Sequence, residues 1–159
     1  MIYFGIDPGV RGGIARISCV NGKLKAVELW SFTDHTLHDL VGLFSSLFQH
    51  TFYREILVTL ERVHALPSTF RGCSTSWTLA ENFSAIKTLL TMHEIPFELV
   101  LPEKWQTVMG VRIKKTEKKV DKKKINREKA QALFPKLAGI TKDTADALLI
   151  AEYNRRTHK

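Results

Sequence analysis

The sequence predicts an α/β fold: a five-stranded mixed sheet, three antiparallel strands followed by parallel ones, with helices on both faces. Three observations carry this. An alternating apolar opening runs into Asn21-Gly22, a strong hairpin signal. Two short apolar runs, 56–60 and 97–101, read as strands, the first of them buried on both faces, and helical periodicity fills the stretches between and after them. A length of 159 residues with 44% hydrophobic content suits one domain with an ample core, and no internal repeat or second domain is visible.

Ile2, Phe4 and Ile6 alternate with other residues and make the first strand, after which Gly9, Gly12 and Gly13 permit a tight turn. Ile14 to Val20 and Leu24 to Trp30 flank the Asn-Gly turn as the second and third strands. Leu37, Leu40, Val41, Phe44, Leu47 and Phe48 recur at helical spacing, with Thr33 or Asp34 available as the cap. Ile56 to Leu60 is the next strand, and His64 to Ser76 is polar and irregular. Trp77, Ala80, Phe83, Ile86, Leu89 and Leu90 then mark a second helix. Phe97 to Leu101, bounded by Pro96 and Pro102, is the fifth strand, and a last helix runs from about Asp143 to Arg155.

Charge points to a polyanionic partner. The chain carries 24 Lys and Arg against 16 Asp and Glu, a formal charge of +8. No apolar run reaches the roughly 18 residues of a membrane span, and no signal peptide is expected. Cys19 and Cys73 form no metal or redox motif, so a reducing compartment is the expected setting. The basic residues concentrate between Arg112 and Lys124, opposed only by Glu117 and Asp121. With little to anchor it beyond Val111, Ile113, Val120 and Ile125, this stretch (about 111–125) reads as a mobile basic loop.

Four carboxylates carry the chemistry. Asp7 ends the first strand and Glu61 ends the fourth, while Asp143 and Asp146 open the last helix. Each has an ordinary explanation: Asp7 before Pro8 starts a turn, Glu61 is a solvated strand end, and Asp143 caps a helix. Asp146 is harder to dismiss, because it lies one turn beyond Asp143 on a face that Ala147 and Ile150 continue toward the core. Acids at the ends of hydrophobic strands are costly to bury unless paired, and a divalent cation is one such partner.

Taken together, Gly5-Ile6-Asp7-Pro8-Gly9, Glu61 after an apolar strand, and Asp143-Thr144-Ala145-Asp146 resemble the RuvC-type Holliday junction resolvases of the RNase H-like superfamily. The resemblance covers nearly the whole chain. Lys104-Trp105-Gln106 and Ala132-Leu133-Phe134-Pro135 look closer to the phage and organelle branches than to the typical bacterial enzymes. It implies an RNase H-like sheet with Asp7 projecting from its central strand and all four acids at one edge as catalytic and metal-binding residues. It also implies two Mg²⁺ ions per site, with Mn²⁺ as a substitute, roughly 3.5–4 Å apart and hydrolysing a phosphodiester. Hard carboxylate oxygens suit those ions, and the motif holds no Cys or His.

The resemblance further implies a crossover junction endodeoxyribonuclease, a homodimer cutting two equivalent strands of a four-way junction. It acts in the cytoplasm near the nucleoid, or is phage- or organelle-encoded. The helix from Trp77 to Met92 would pair with its symmetry mate or, read from its apolar stripe alone, belong to the core. Phe70, with Arg71 beside it, is a candidate wedge at the junction centre by chemistry, and His64 by spacing. Lys114, Lys115, Lys118, Lys122, Lys123 and Lys124 are candidate phosphate contacts, one of them close to the metals. The rival readings are a relaxed flap or fork nuclease, a non-catalytic junction-binding protein, and an ATP-binding relative. The last would need a longer, two-lobed chain.

Overall fold

In the computed structural model, which describes residues 1–48, 55–63, 73–113 and 121–158 (backbone only for 73–76), the opening strand β1 (Ile2–Asp7) lies at the centre of the sheet. It pairs antiparallel with β2 (Gly13–Val20), which pairs antiparallel with β3 (Lys23–Ser31). On its other side β1 pairs parallel with β4 (Ile56–Glu61), which pairs parallel with β5 (Phe97–Val100). The resulting order is β3-β2-β1-β4-β5, the predicted mixed sheet. Asn21 and Gly22 both have positive φ, as a tight right-twisted hairpin requires.

Side-chain alternation along β1 divides the molecule. Phe4 and Ile6 enter one core with Ile56, Val58 and Leu60 of β4, capped by α1 (Leu37–Phe48) and α2 (Cys73–Met92). Tyr3 enters the opposite core, built on α5 (Ala145–Thr157) with contributions from α3 (Pro102–Met109) and α4 (Lys122–Leu133). By the same parity Gly5 and Asp7 face α5, as do Leu57 and Glu61 of β4. At Gly5 the helix backbone is so close that a Cβ would meet Ala151 N at 2.1 Å and Ala147 O at 2.4 Å. Small residues at Ala145, Ala147 and Ala151 complete that approach, and it brings the start of α5 over the end of β1.

Several local expectations change. α1 is capped by Thr36, not Thr33 or Asp34: Thr36 N donates to Asp39 Oδ2 and Asp39 N to Thr36 Oγ1, a reciprocal box. α2 begins at Cys73, inside the segment expected to be irregular as far as Ser76. α3 and α4 go beyond the helices that apolar periodicity predicts. Lys122 to Ile125, expected in a loop, form the first turn of α4, with Asp121 accepting from Lys124 N as the N-cap. The lysines hide the cause: Ile125, Asn126, Ala130 and Leu133 lie on one helical face turned to the core. α5 begins at Ala145, so Asp143 precedes the helix and does not share a helical face with Asp146. Apart from Asp146 it is buried on every side as far as Asn154, because α3 and α4 cover the surface turned away from the sheet. Among the described residues no helix is long and apolar enough to cross a membrane.

Candidate active site

Asp7, Glu61 and Asp146 converge at the C-terminal ends of β1 and β4, beneath the first turns of α4 and α5. Asp7 is only 7% exposed, and its Oδ1 accepts from Gly9 N at 3.0 Å in the turn that follows. Asp146 Oδ1 accepts from Asn126 Nδ2 at 2.7 Å. Glu61 Oε1 accepts from Trp105 Nε1 at 2.9 Å. Lys123 reaches down from α4, its Nζ 2.7 Å from Asp146 Oδ2 and 3.4 Å from Asp7 Oδ2. Each carboxylate thus has one oxygen held by a neutral N–H donor.

The electrostatics follow from crowding. Burial pushes Glu61 up to about 8, helped by the charges of Asp7 and Asp146 and opposed by the Trp105 hydrogen bond. Burial also raises Asp7, with Asp146 adding to the effect and Lys123 working against it. Burial pulls Lys123 down, but the charges of Asp7 and Asp146 outweigh it and the net shift is upward. Three carboxylates face one ammonium, so full ionisation leaves two negative charges uncompensated in a largely dry site. Such a site binds protons, as Glu61 does, or a divalent cation.

Asp143 stands apart. Its Oδ2 accepts from Thr33 Oγ1 at 3.1 Å, and its Oδ1 lies 3.6 Å from Arg11 Nε. The sequence-based expectation placed four acids at one edge; three of them share Lys123 and one another as neighbours, while Asp143 lies before α5 and faces Thr33 and Arg11. Among the described residues, no set of three or more His, Cys, Asp or Glu side chains is gathered tightly enough to ligate a metal. Lys123 lies between two of the acids. The donor chemistry nevertheless fits a hard cation, since the acceptors gathered around Lys123 are carboxylate oxygens of Asp7, Glu61 and Asp146.

Of the basic candidates, Lys122 and Lys124 are exposed on α4, whereas Lys123 is occupied by the acids. His64, Phe70, Arg71, Lys114, Lys115 and Lys118 lie outside the described residues. Sequence reasoning passes over Trp105 and Asn126. Trp105 stands in a segment already noted for its resemblance, but an indole donor carries no sequence mark of its partner. Cys19 is a buried free thiol.

The chain aligns with solved structures over nearly its full length. RuvC from Thermus thermophilus in complex with a Holliday junction substrate matches with a TM-score of 0.62 and 17% identity, covering 99% of this chain and 97% of that one. The fold is that of RuvC. A second Thermus thermophilus RuvC structure matches with a TM-score of 0.58 and 17% identity, over 99% of this chain and 96% of that one. No family model matches the sequence, and no curated protein does.

Proposed function

We propose that this chain is a divalent-cation-dependent endonuclease that resolves four-way DNA junctions by paired, symmetric nicks. The observation that carries the reading is the convergence of Asp7, Glu61 and Asp146 on the RuvC fold with two uncompensated negative charges. A purely structural cluster would be neutralised by its own surroundings. Glu152 illustrates this in the same helix, where Arg155 and Arg156 both pair with its carboxylate.

Asp7, Glu61 and Asp146 would hold Mg²⁺ or Mn²⁺, with one ion matching the uncompensated charge and a second drawing on substrate phosphate and Asp143. Bound there, such ions activate water and stabilise a leaving oxygen. The chain's own residues orient and neutralise. Asp7 would hold the cation with a carboxylate whose Oδ1 is fixed by the Gly9 amide and whose Oδ2 faces Lys123. The Lys123 ammonium holds Asp7 and Asp146 together and is within reach of a phosphate entering between α4 and the sheet. The exposed Lys122, Lys124 and Arg11 offer sequence-independent phosphate contacts around that opening.

A homodimer would supply two equivalent sites, the commonest closed symmetry. It is supported by apolar side chains left exposed on α1 and α2: Leu37 at 61%, Trp77 at 68% and Met92 at 74%. The test is cleavage of a mobile four-way junction beside flap and duplex controls, with nicks mapped on all strands. Equivalent nicks on two opposing strands, dependent on Mg²⁺, are expected. Single nicks at flap bases with junctions left intact would replace this reading with a relaxed branched-DNA nuclease.

A further inference from the structure

Trp105 and Asn126 come from two different helices, are almost fully buried at 1% and 5% exposure, and each directs a donor at an acid of the cluster. A buried indole N–H needs an acceptor, and a backbone carbonyl would serve. Here it takes a carboxylate 44 positions away in sequence, at the end of a strand. The molecule uses a different device where a buried acid is only structural. Glu152, 3% exposed, receives two arginines, which hold its carboxyl below the usual range despite its burial. Among the described residues Glu61 makes no ion pair, and the indole fixes its direction without cancelling its charge. Asn126 orients one oxygen of Asp146 with a neutral donor in the same way, while the other oxygen faces the Lys123 ammonium at 2.7 Å.

We propose that Trp105 and Asn126 are positioning residues that aim the carboxylates of Glu61 and Asp146 at a shared cation without themselves neutralising either acid. This rests on the reading of the acids as a cation site. α3 and α4 then serve a purpose beyond covering α5: they carry the donors that set how far the acids can turn. Removing one such donor frees a carboxylate to rotate, so cation affinity falls before DNA affinity does.

The test uses the full chain and Mn²⁺ alone as the probe, with calorimetry on the wild type, Trp105→Phe and Asn126→Leu, each checked for a native melt. Outer-shell donors typically contribute 10–100-fold to metal affinity, so at least roughly tenfold weaker Mn²⁺ binding is expected in both variants. Junction affinity measured in Ca²⁺-free buffer should stay within about twofold, and nicking should recover in part as Mg²⁺ is raised. Because Trp105→Phe also removes core volume, a second measurement uses the intact indole. The Nε1–H resonance of Trp105 in the ¹⁵N-labelled wild type should move during Mg²⁺ titration and in Glu61→Ala, while that of the exposed Trp77 should not.

Unchanged Mn²⁺ affinity in folded Asn126→Leu, or a Trp105 resonance indifferent to Mg²⁺, would overturn the inference. If the wild type binds Mn²⁺ but leaves junctions and flaps uncut, the nuclease reading falls. The calorimetry and the resonance still judge the positioning role.

Discussion

Lys123 donates to Asp146 across 2.7 Å, joining two helix starts that are 23 residues apart in the chain. The same Nζ reaches Asp7, so one ammonium ties the central strand to the closing helix. In a lysine-rich helix whose neighbours point to solvent, this residue has a different role from Lys122 and Lys124.

That separation is open to test. Lys122→Ala with Lys124→Ala should weaken binding to junction and duplex alike and flatten the salt dependence, by up to about 0.9 in log–log slope for each phosphate no longer neutralised. Lys123→Met should instead lower the melting temperature of the cation-free protein, because it leaves three crowded acids without their ammonium. Added Mg²⁺ should restore more stability to it than to the wild type. Calorimetric melts and filter-binding titrations distinguish the two classes, and a double variant indistinguishable from Lys123→Met would refute the distinction.

Asp7→Asn is expected to reduce nicking by at least about a hundredfold, more than the loss of an outer-shell donor typically costs. Junction binding should hold or tighten, since a negative charge facing DNA is removed. Rates under single-turnover conditions with saturating enzyme separate the two effects. A variant that still cuts at near wild-type rate takes Asp7 out of the mechanism.

Glu61 gives stability a definite pH dependence in cation-free buffer. Its carboxyl sits at about 8 when folded, against 4.5 for an ordinary glutamate. Between those values the folded state keeps a proton that the unfolded state has released. Stability therefore falls as pH rises through this window, with a slope of at most about 1.4 kcal/mol per pH unit. Asp7, raised by burial, acts in the same direction. Melts in EDTA from pH 5 to 8 should show the decline, Glu61→Gln should reduce it, and Mg²⁺ should offset it by favouring the ionised form. A flat profile in EDTA would show that Glu61 is not held protonated.

Gly5→Ala should destabilise the fold by about 3 kcal/mol or more, because the new methyl meets the backbone of α5 and neither element can give way. Gly42 in α1 is the control. A Cβ there meets nothing within 4 Å, so Gly42→Ala should stabilise by up to about 1 kcal/mol. Urea midpoints at constant m-value measure both.

Much of the fold is legible in residue order because it depends on short-range periodicity. Alternation along β1 and β4 assigns Asp7 and Glu61 to strand ends, and Asn21-Gly22 sets the hairpin between β2 and β3. Helical spacing locates α1 and most of α2. Periodicity fails where charge masks it: α4 has only a few core-facing residues among lysines, and Ala130 and Asn126 carry little hydrophobic signal. Asp143 escapes it for a related reason, since a spacing of three implies a shared face only when both residues are inside the helix, and α5 starts at Ala145.

By itself the sequence determined the strands, their apolar faces and the strand-end positions of Asp7 and Glu61, since these follow from side-chain parity and local turn chemistry. Only the tertiary structure decided the partners of those acids and of Asp146. Lys123 reaches Asp7 across 116 residues, Trp105 reaches Glu61 across 44, and Asn126 reaches Asp146 across 20. Such pairings depend on where α3, α4 and α5 stack over the sheet. That stacking is set by Gly5, whose missing side chain lets α5 approach, and by burial summed over many residues. A polar donor finds its acceptor only once that packing has placed them within about 3 Å of each other.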